Sequence, residues 1–259
     1  MSVESSVILG GLDSVRLTPE EMRFFKKEDL AGVVLFARNV EPFVDSPRSL
    51  IKQVQSYSVG LPKIISIDQE GGRVSRIKNN FPDFGASLNL AGGSYSPESL
   101  KILSNYGELV GRALLVRGIN VNFAPVVDVL SSTCDESIGD RAFSRKSQGV
   151  IERAGAYLNG LQGVGIYGCL KHFPGQGKVK RDTHIHKANI LDSFDSLKKT
   201  DLSPFAALLD RAVFVMMSHC CFPAVCSLEA SRSYHWITNV LRQQMGFDGI
   251  IVSDDLVMG

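Results

Sequence analysis

Residues 168–186 read GCLKHFPGQGKVKRDTHIH, and the interpretation of the whole chain starts from this stretch. The apolar residues at its beginning predict a buried strand. The sixteen residues that follow, Lys171 to His186, contain three histidines, one aspartate, several cations and the turn-forming residues proline and glycine. Catalytic groups usually lie on loops that a rigid scaffold positions. The stretch therefore predicts a strand that ends in a loop with a chemical function.

On both sides of this stretch, short apolar runs alternate with longer segments of helical pattern. The predicted strands are 6–10, 32–36, 62–68, 120–128, 168–172, 212–219 and 248–255. The first predicted helix begins at Thr18, and the others cover 44–58, 97–117, 147–161, 193–209 and 231–245. Such alternation is typical of a parallel sheet with helices packed outside it, and continuous apolar runs indicate strands that are buried on both faces.

Polar side chains follow several of the predicted strands. They are Asp68, Asp128, Lys171 with His172, His219 and Asp254. In a (β/α)8 barrel this rim of strand ends carries the active site. A doubly wound sheet also gathers its ligand-binding groups at strand ends, so the rim alone does not distinguish the two folds. No GxGxxG turn follows the first strand and no GxxxxGK[ST] motif occurs, so a phosphate-cradling loop is absent from the sequence. The expected fold is therefore an α/β barrel of the TIM type, with seven strands visible in the sequence.

The composition narrows the class of protein further. The chain has 259 residues, 44% of them apolar, and a net charge of +1, which suits one globular domain and gives no sign of a nucleic-acid or membrane partner. No run reaches the roughly 18 apolar residues of a membrane helix, and residues 1–14 lack the pattern of a signal peptide. Five cysteines without a disulfide-like spacing predict reduced thiols and a cytoplasmic location.

Asp254 is the first candidate catalytic residue. A carboxylate at the end of a barrel strand can attack an anomeric carbon and form a covalent glycosyl-enzyme. One member of the pair Asp254 and Asp255 could instead cap the helix predicted to begin at Leu256, and Asp255 fits that capping role better.

The second candidate is the pair Asp182 and His184, two residues apart on the predicted loop. The aspartate can hold the imidazole in one tautomer, and the histidine can then protonate a leaving oxygen and later activate water. The alternative is a solvated loop pair. A metal site from His172, His184 and His186 stays open, although the spacing matches no strong motif.

Two further sets of residues contain groups that can bind metals or sugars. Cys220, Cys221 and Cys226 beside His219 do not fit any usual zinc spacing. Cations and one further carboxylate near the predicted strand ends could bind sugar hydroxyls; these residues are Asp68, Arg73, Arg76, Arg141, Lys171 and His172. Each is more often a solvated or ion-paired side chain when taken alone, and their joint placement on one rim is what indicates a sugar site.

Taken together, the motifs closely resemble the family 3 glycoside hydrolases, and within them the bacterial cytoplasmic β-N-acetylglucosaminidases (β-hexosaminidases) of the NagZ type. The resemblance covers nearly the whole chain. Its segments are GVVLFARN (32–39), DQEGGRV (68–74) with Arg76, NFAPVVD (122–128), IGDR (138–141), KHFPGQG (171–177), DTH (182–184) and SDDL (253–256) with Met258.

The resemblance implies a role for each matching residue. Asp254 matches the nucleophile, His184 the acid/base and Asp182 its partner. The residues that match those holding N-acetylglucosamine are Asp68, Arg76, Arg141, Lys171 and His172. The implied reaction is hydrolysis of terminal β-linked N-acetylglucosamine with retention, on a muropeptide of cell-wall recycling. No cofactor, metal, nucleic acid or membrane is expected, and the protein is expected to be a monomer.

This sequence differs from the family pattern at two places. Gln176 stands where the family loop KHFPGHG has its second histidine, and glutamine keeps a donor and an acceptor but does not titrate. The sequence also ends five residues after Asp254, so residues 1–259 are expected to form a single catalytic barrel truncated after the seventh strand, without the final helix, strand and helix. Two other hypotheses stay open: a non-catalytic remnant that at most binds sugar, and phosphorolysis in place of hydrolysis.

Overall fold

In the computed structural model, the described residues are 7–28, 30–40, 46–58, 62–90, 96–131, 137–179 and 188–256. Several residues considered above lie outside these ranges. They are Asp182, His184, His186, residues 257–258 of the predicted last helix, and Cys134, which is one of the five cysteines.

The strands confirm the predicted α/β architecture. They are β1 (Leu9–Gly11), β2 (Gly32–Leu35), β3 (Ile64–Ile67), β4 (Gln69–Gly71), β5 (Val74–Ser75), β6 (Val121–Asn122), β7 (Tyr167–Phe173), β8 (Phe214–Met217), β9 (Cys221–Phe222), β10 (Cys226–Glu229) and β11 (Ile250–Ser253). Seven of them form one sheet in the order β1-β2-β3-β6-β7-β8-β11, and all neighbouring pairs in it are parallel. All seven therefore point their carboxyl ends to the same rim.

Helices connect these strands. They are α1 (Pro19–Lys27), α2 (Ala37–Val40), α3 (Ser46–Gln55), α4 (Ser87–Leu90), α5 (Pro97–Val116), α6 (Ser147–Gly163), α7 (Phe194–Lys199), α8 (Leu202–Leu208) and a π-helix at His235–Gln244. Single 3-10 turns occur at Gly139–Arg141, Leu209–Arg211 and Ala230–Arg232. Within the described ranges, no helix is both long and apolar enough to cross a membrane.

Local sequence explains where α1 begins. Thr18 Oγ1 accepts a hydrogen bond from the Glu21 amide at 3.2 Å, and a Glu21 carboxylate oxygen accepts one from the Thr18 amide at 2.6 Å. This reciprocal pair satisfies two amides that the helix cannot satisfy itself. Pro19 at the first helical position loses no hydrogen bond. The start predicted at Thr18 is confirmed.

Helices α5 and α6 approach each other backbone to backbone. A Cβ atom on Gly160 of α6 would lie 1.9 Å from the Ser104 carbonyl oxygen of α5, and one on Gly107 would lie 2.2 Å from the Tyr157 carbonyl oxygen. Only glycine fits at these two crossings. Helix α6 in turn packs against β7, where Gly168 faces Leu158, and β7 carries Lys171 and His172 of the predicted site.

The predicted helix 193–209 is interrupted. It is two helices, α7 and α8, separated at Thr200 and Asp201. The buried Asp201 carboxylate accepts hydrogen bonds from the Thr200 hydroxyl at 2.6 Å and from Lys178 Nζ at 2.8 Å. Lys178 also binds Asp192 at 2.8 Å. Pro204 marks the break in the sequence, because it has no amide to bond to the carbonyl of Thr200 and its ring clashes with that carbonyl in a continuous helix.

Two other predictions differ from the structure. The polar loop predicted at 69–73 contains part of the small hairpin β4–β5, in which the Gln69 side chain accepts from the amides of Arg76 (2.9 Å) and Ile77 (3.0 Å). The strand predicted at 120–128 is reduced to the two residues of β6 plus an isolated bridge between Val126 and Lys171. Pro125 lacks the amide that a continuous strand would need there.

Candidate active site

The rim of the sheet brings five of the predicted site residues together. Asp68 follows β3, Lys171 and His172 end β7, Asp254 follows β11, and Arg141 comes from the 3-10 turn Gly139–Arg141. The chain separates these residues widely, and the parallel sheet unites them because the strand ends share one edge.

Lys171 is the central cation of this cluster. Its ammonium lies 2.8 Å from an Asp68 carboxylate oxygen and 2.7 Å from a Glu70 oxygen, and its side chain is 2% exposed. Burial alone would lower the pKa of Lys171, but the two carboxylates raise it above its usual range. Burial alone would likewise raise the pKa of Asp68, but the charge and hydrogen bond of Lys171, together with the charge of Arg76, lower it below its usual range. Lys171, Asp68 and Glu70, whose pKa is likewise lowered, are therefore all charged at neutral pH.

Arg141 binds Glu70 through both arms of its guanidinium. The Nε and Nη2 atoms each lie 2.8 Å from a Glu70 carboxylate oxygen, the forked geometry in which arginine binds carboxylates most strongly. Burial would raise the pKa of Glu70, but the charges of Arg141 and Lys171 hold it far below its usual range. Glu70 thus fixes two cations at once.

His172 is held by a buried carboxylate. Its Nδ1 lies 2.7 Å from Oδ2 of the fully buried Asp128, and Arg141 Nη2 lies 3.4 Å from its Nε2. Asp128 can only accept when ionised and arginine can only donate. Nδ1 therefore carries the proton, and Nε2 presents a lone pair.

Asp254 lies beside this imidazole. Its Oδ2 is 3.9 Å from His172 Nε2, and its Oδ1 accepts a hydrogen bond from the Asp255 amide at 2.9 Å. Its own amide donates to the Met217 carbonyl of β8 at 3.0 Å. Asp254 is partly accessible, whereas Lys171 and His172 are buried. The arrangement is a reachable carboxylate next to a set of fixed donors and acceptors, which suits attack on a bound sugar.

Gln176 has a structural role in this rim. Its amide donates to Asp128 Oδ1 at 2.6 Å, its side-chain Nε2 donates to Ser137 Oγ at 3.2 Å, and its Oε1 accepts from Ser218 Oγ at 3.0 Å. The residue thus joins the loop after β7 to the end of β8 and to the segment before Arg141. A side chain with one donor and one acceptor is sufficient for this role.

The two arginines of the DQEGGRVSR segment behave differently. Arg76 Nη2 lies 3.4 Å from Asp68 Oδ2, at the edge of the cluster. Arg73 is directed to Asp140 at 2.9 Å and to the carbonyls of Ser137 and Ile138 at 2.8 and 2.9 Å. Arg73 therefore holds the 3-10 turn that presents Arg141, and its hydrogen bonds go to that turn.

Sequence reasoning did not select Glu70 and Asp128 as site residues, although they hold Lys171, Arg141 and His172. Asp128 ends a predicted strand, and Glu70 comes two residues after Asp68, so the rim position of each was a usable signal. Asp182 and His184 lie outside the described residues, and their roles stay predictions.

The metal alternatives gain no support from the described residues. Among these, no group of three or more His, Cys, Asp or Glu side chains is placed to hold a metal ion. Among the described cysteines, Cys169, Cys220 and Cys226 are free thiols. The alternative that uses His184 and His186 falls outside the described ranges.

Comparisons with known proteins identify relatives of this chain. A family model described as the Glycosyl hydrolase family 3 N terminal domain matches residues 6–259. The "Beta-hexosaminidase" of Xanthomonas oryzae pv. oryzae is 36% identical over 259 residues, and the match covers 97% of this chain and 75% of that protein. That of Stenotrophomonas maltophilia (strain K279a) is 34% identical over 262 residues, with the same coverage.

Solved structures give the same result. The crystal structure of NagZ from Neisseria gonorrhoeae, in complex with N-trifluoroacetyl-D-glucosamine, superposes with a TM-score of 0.93 at 31% identity. The superposition covers 98% of this chain and 75% of that one. The fold of this chain thus matches three quarters of the length of the related NagZ chain. The chain belongs to glycoside hydrolase family 3 and is related to its β-hexosaminidases.

Proposed function

We propose that the protein is a retaining β-N-acetylglucosaminidase that removes terminal β-linked N-acetylglucosamine from muropeptides during bacterial cell-wall recycling in the cytoplasm. The observation that carries the proposal is the position of Asp254, whose Oδ2 lies 3.9 Å from His172 on the rim that also holds Asp68, Lys171 and Arg141. The names of the related hexosaminidases and the sugar in the related NagZ structure support the sugar class.

In the proposed first step, an Asp254 oxygen attacks the anomeric carbon and forms a glycosyl ester. The bond to the leaving oxygen breaks, and His184 donates its proton to that oxygen. In the second step, His184 takes a proton from water, the water oxygen attacks the anomeric carbon, and the ester bond breaks to restore the Asp254 carboxylate. Two inversions at one carbon give net retention.

The sugar-holding residues act as a fixed polar frame in this proposal. Lys171 and Arg141 donate to hydroxyl or amide oxygens of the sugar, and Asp68 accepts from its hydroxyls. A sugar hydroxyl replaces Arg141, now 3.4 Å away, as the donor to Nε2 of His172. Because Glu70 and Asp128 hold these groups in place before substrate arrives, little reorganisation is needed on binding.

The test is turnover of an aryl β-N-acetylglucosaminide by the chain and by its alanine variants. Asp254→Ala should abolish turnover, whereas Asp248→Ala, at the opposite end of β11 and exposed, should retain it. His184→Ala should spare activated aryl leaving groups more than an N-acetylglucosamine disaccharide, since good leaving groups need less protonation.

Three results would contradict the proposal. Wild-type-like turnover by Asp254→Ala would remove the nucleophile assignment. A cooperative thermal transition without any sugar release by the parent chain would favour the sugar-binding remnant. If N-acetylglucosamine 1-phosphate forms when phosphate is added, the reaction is phosphorolysis and not hydrolysis. NMR identifies the anomer of N-acetylglucosamine that forms first, and a retaining enzyme should release the β-anomer first.

A further inference from the structure

His219 connects three parts of the rim, although the proposed reaction assigns it no role. It follows β8 by two residues. Its ring Nδ1 lies 2.7 Å from Ser231 Oγ, and its Nε2 lies 3.1 Å from the Asp255 carbonyl oxygen. The ring thus spans from the 3-10 turn Ala230–Arg232 to the residue that directly follows Asp254.

These partners determine the tautomer. A carbonyl oxygen only accepts hydrogen bonds, so Nε2 of His219 must carry the proton and donate to Asp255. In the neutral ring Nδ1 then accepts from the Ser231 hydroxyl, which can rotate to donate. This is the opposite tautomer from that of His172, whose proton lies on Nδ1.

Asp255 is consequently held on both sides of its Cα atom. Its amide donates to Oδ1 of Asp254 at 2.9 Å, and its carbonyl accepts from His219. The amide hydrogen bond fixes one oxygen of the Asp254 carboxylate, so the direction of the carboxylate depends on the conformation of Asp255. His219 restrains that conformation from the carbonyl side.

The frame that holds the histidine does not depend on its ring. The Ser231 amide donates to the Ser218 carbonyl at 3.0 Å, and the Ala230 amide donates to the Cys220 carbonyl at 2.9 Å. The Asp254 amide is bonded to Met217 of β8. Loss of the imidazole therefore removes the link to Asp255 and leaves the surrounding backbone bonds in place.

We propose that His219 is a positioning residue that aims the Asp254 carboxylate at the anomeric carbon by holding Asp255. The inference rests on the proposed glycosidase function and adds a residue to it. His219 does not touch the sugar in this proposal. Its removal should lower the rate of the glycosylation step and leave sugar affinity unchanged, because Asp68, Lys171, Arg141 and His172 stay in place.

Two amide variants separate this role from a general structural one. In glutamine, Nε2 stands three bonds from Cβ, as it does in histidine, so His219→Gln can still donate to the Asp255 carbonyl. In asparagine the amide ends one bond earlier and reaches only the position of Nδ1. The two side chains have the same polar group, and they differ in which partner they can reach.

The experiment measures kcat and KM for an aryl β-N-acetylglucosaminide, the inhibition constant of N-acetylglucosamine, and the thermal transition of each variant. His219→Asn and His219→Ala should lose about 10- to 100-fold in kcat, because a misplacement of about 1 Å in a reacting group can cost about 100-fold. His219→Gln should stay within about threefold of the parent. KM and the inhibition constant should change by less than about threefold in all three variants.

The outcomes are distinct. Equal kcat values for the glutamine and asparagine variants, at parental or reduced level, would overturn the positioning role. A loss that appears in KM and in the inhibition constant would show that His219 belongs to the sugar-binding set, and would also overturn it. A parent chain that folds but has no glycosidase activity would overturn the proposed function and, with it, this inference.

Discussion

The Nε2 atom of His172 lies 3.9 Å from Oδ2 of Asp254, and the other ring nitrogen lies 2.7 Å from Asp128. The buried Asp128 carboxylate thus determines which ring nitrogen of His172 lies next to the proposed nucleophile. Because Nδ1 carries the proton, Nε2 cannot form a hydrogen bond to Asp254 in the resting site. The Asp254 oxygen on that side is therefore not weakened as a nucleophile by a donor from His172.

Replacing Asp128 by asparagine tests this arrangement. Asp128 accepts from the His172 amide, from its Nδ1 and from the Gln176 amide. An asparagine has only one oxygen, so its NH2 group must face one of these donors. If it faces Nδ1, the ring takes the other tautomer, and its Nε2–H then opposes the Arg141 guanidinium. We expect kcat/KM to fall by about 100-fold or more, as wrong-tautomer variants of catalytic histidines do.

The matched control is Asp140→Asn, the same substitution at a half-exposed carboxylate that pairs with Arg73. Exposed pairs contribute about 0–1 kcal/mol, so activity should stay close to parental. The ¹⁵N chemical shifts of the His172 ring report the tautomer directly. An unchanged tautomer with unchanged kcat/KM in Asp128→Asn would exclude the role given to Asp128.

Lys171→Met tests the buried ion cluster. The substitution keeps the aliphatic volume but leaves Asp68 and Glu70 without their shared cation. Removing one partner of a buried pair costs about 3–5 kcal/mol, so the free energy of unfolding at pH 7.5 should fall by about this amount. Lys198→Met, at an exposed lysine paired with Asp195, should change it by less than about 0.5 kcal/mol. Urea denaturation measures both.

The pH dependence of this variant follows from the direction of each pKa shift. The pKa values of Asp68 and Glu70 are lower in the folded protein than in the unfolded chain, where carboxyl groups titrate at about pH 4. Their ionisation therefore stabilises the fold above about pH 4, and this stabilisation is lost as the pH falls through the pKa values of the folded state. The pKa of Lys171 is raised in the folded protein, so the charged lysine stabilises the fold fully below about pH 10, where lysines titrate in the unfolded chain. Without Lys171 the two carboxylates protonate more easily, so the cost of Lys171→Met should be smaller at pH 5 than at pH 7.5. A larger cost at pH 5 would contradict the charge assignment.

Gln176→His tests whether the altered loop residue has kept a purely structural role. Neutral imidazole also has one donor and one acceptor, so it can serve Ser137 and Ser218 as the glutamine amide does. We expect a change in unfolding free energy below about 1 kcal/mol and activity near the parental value. Gln176→Leu removes both hydrogen bonds and should cost about 1–3 kcal/mol. Equal stability of the two variants would show that these hydrogen bonds do not matter.

Gly160→Ala tests the contact between α5 and α6. Its Cβ would lie 1.9 Å from the Ser104 carbonyl oxygen, and a backbone atom cannot move aside as a flexible side chain can. We expect a loss of about 1–3 kcal/mol in unfolding free energy. Gly163→Ala lies at the end of the same helix with open space around it, and it should be neutral or gain up to about 1 kcal/mol. A stabilising Gly160→Ala would contradict the described crossing.

Much of the fold could be predicted because its signals are local. The apolar runs that form β3, β7 and β11 are continuous in the sequence, and each carries charged residues at its carboxyl end. The rim residues Asp68, Lys171 and Asp254 could therefore be selected from the order of residues alone. Parallel strands place such ends together whatever the lengths of the connecting helices.

The parts that could not be predicted depend on contacts between distant residues. Glu70 owes its role to Arg141, 71 residues later in the chain, and no local pattern marks a carboxylate as the partner of two cations. The ion pair that holds the buried Asp201 between α7 and α8 depends on Lys178, which lies 23 residues before it. The Asp182–His184 pair could be recognised only as part of a motif, and its geometry stays a prediction.

The ion pairs of Lys178 have one more consequence. Lys178 precedes residues 180–187 and Asp192 follows them, and a single ammonium joins this aspartate to Asp201 beside the start of α8. The chain is thus fixed by ion pairs shortly before and shortly after residues 180–187. Residues 180–187 can therefore be treated as an exchangeable cassette: the corresponding residues of a related hexosaminidase could be grafted between the same two anchors, and leaving-group preference could be compared in chimaeras that share one sugar-binding rim.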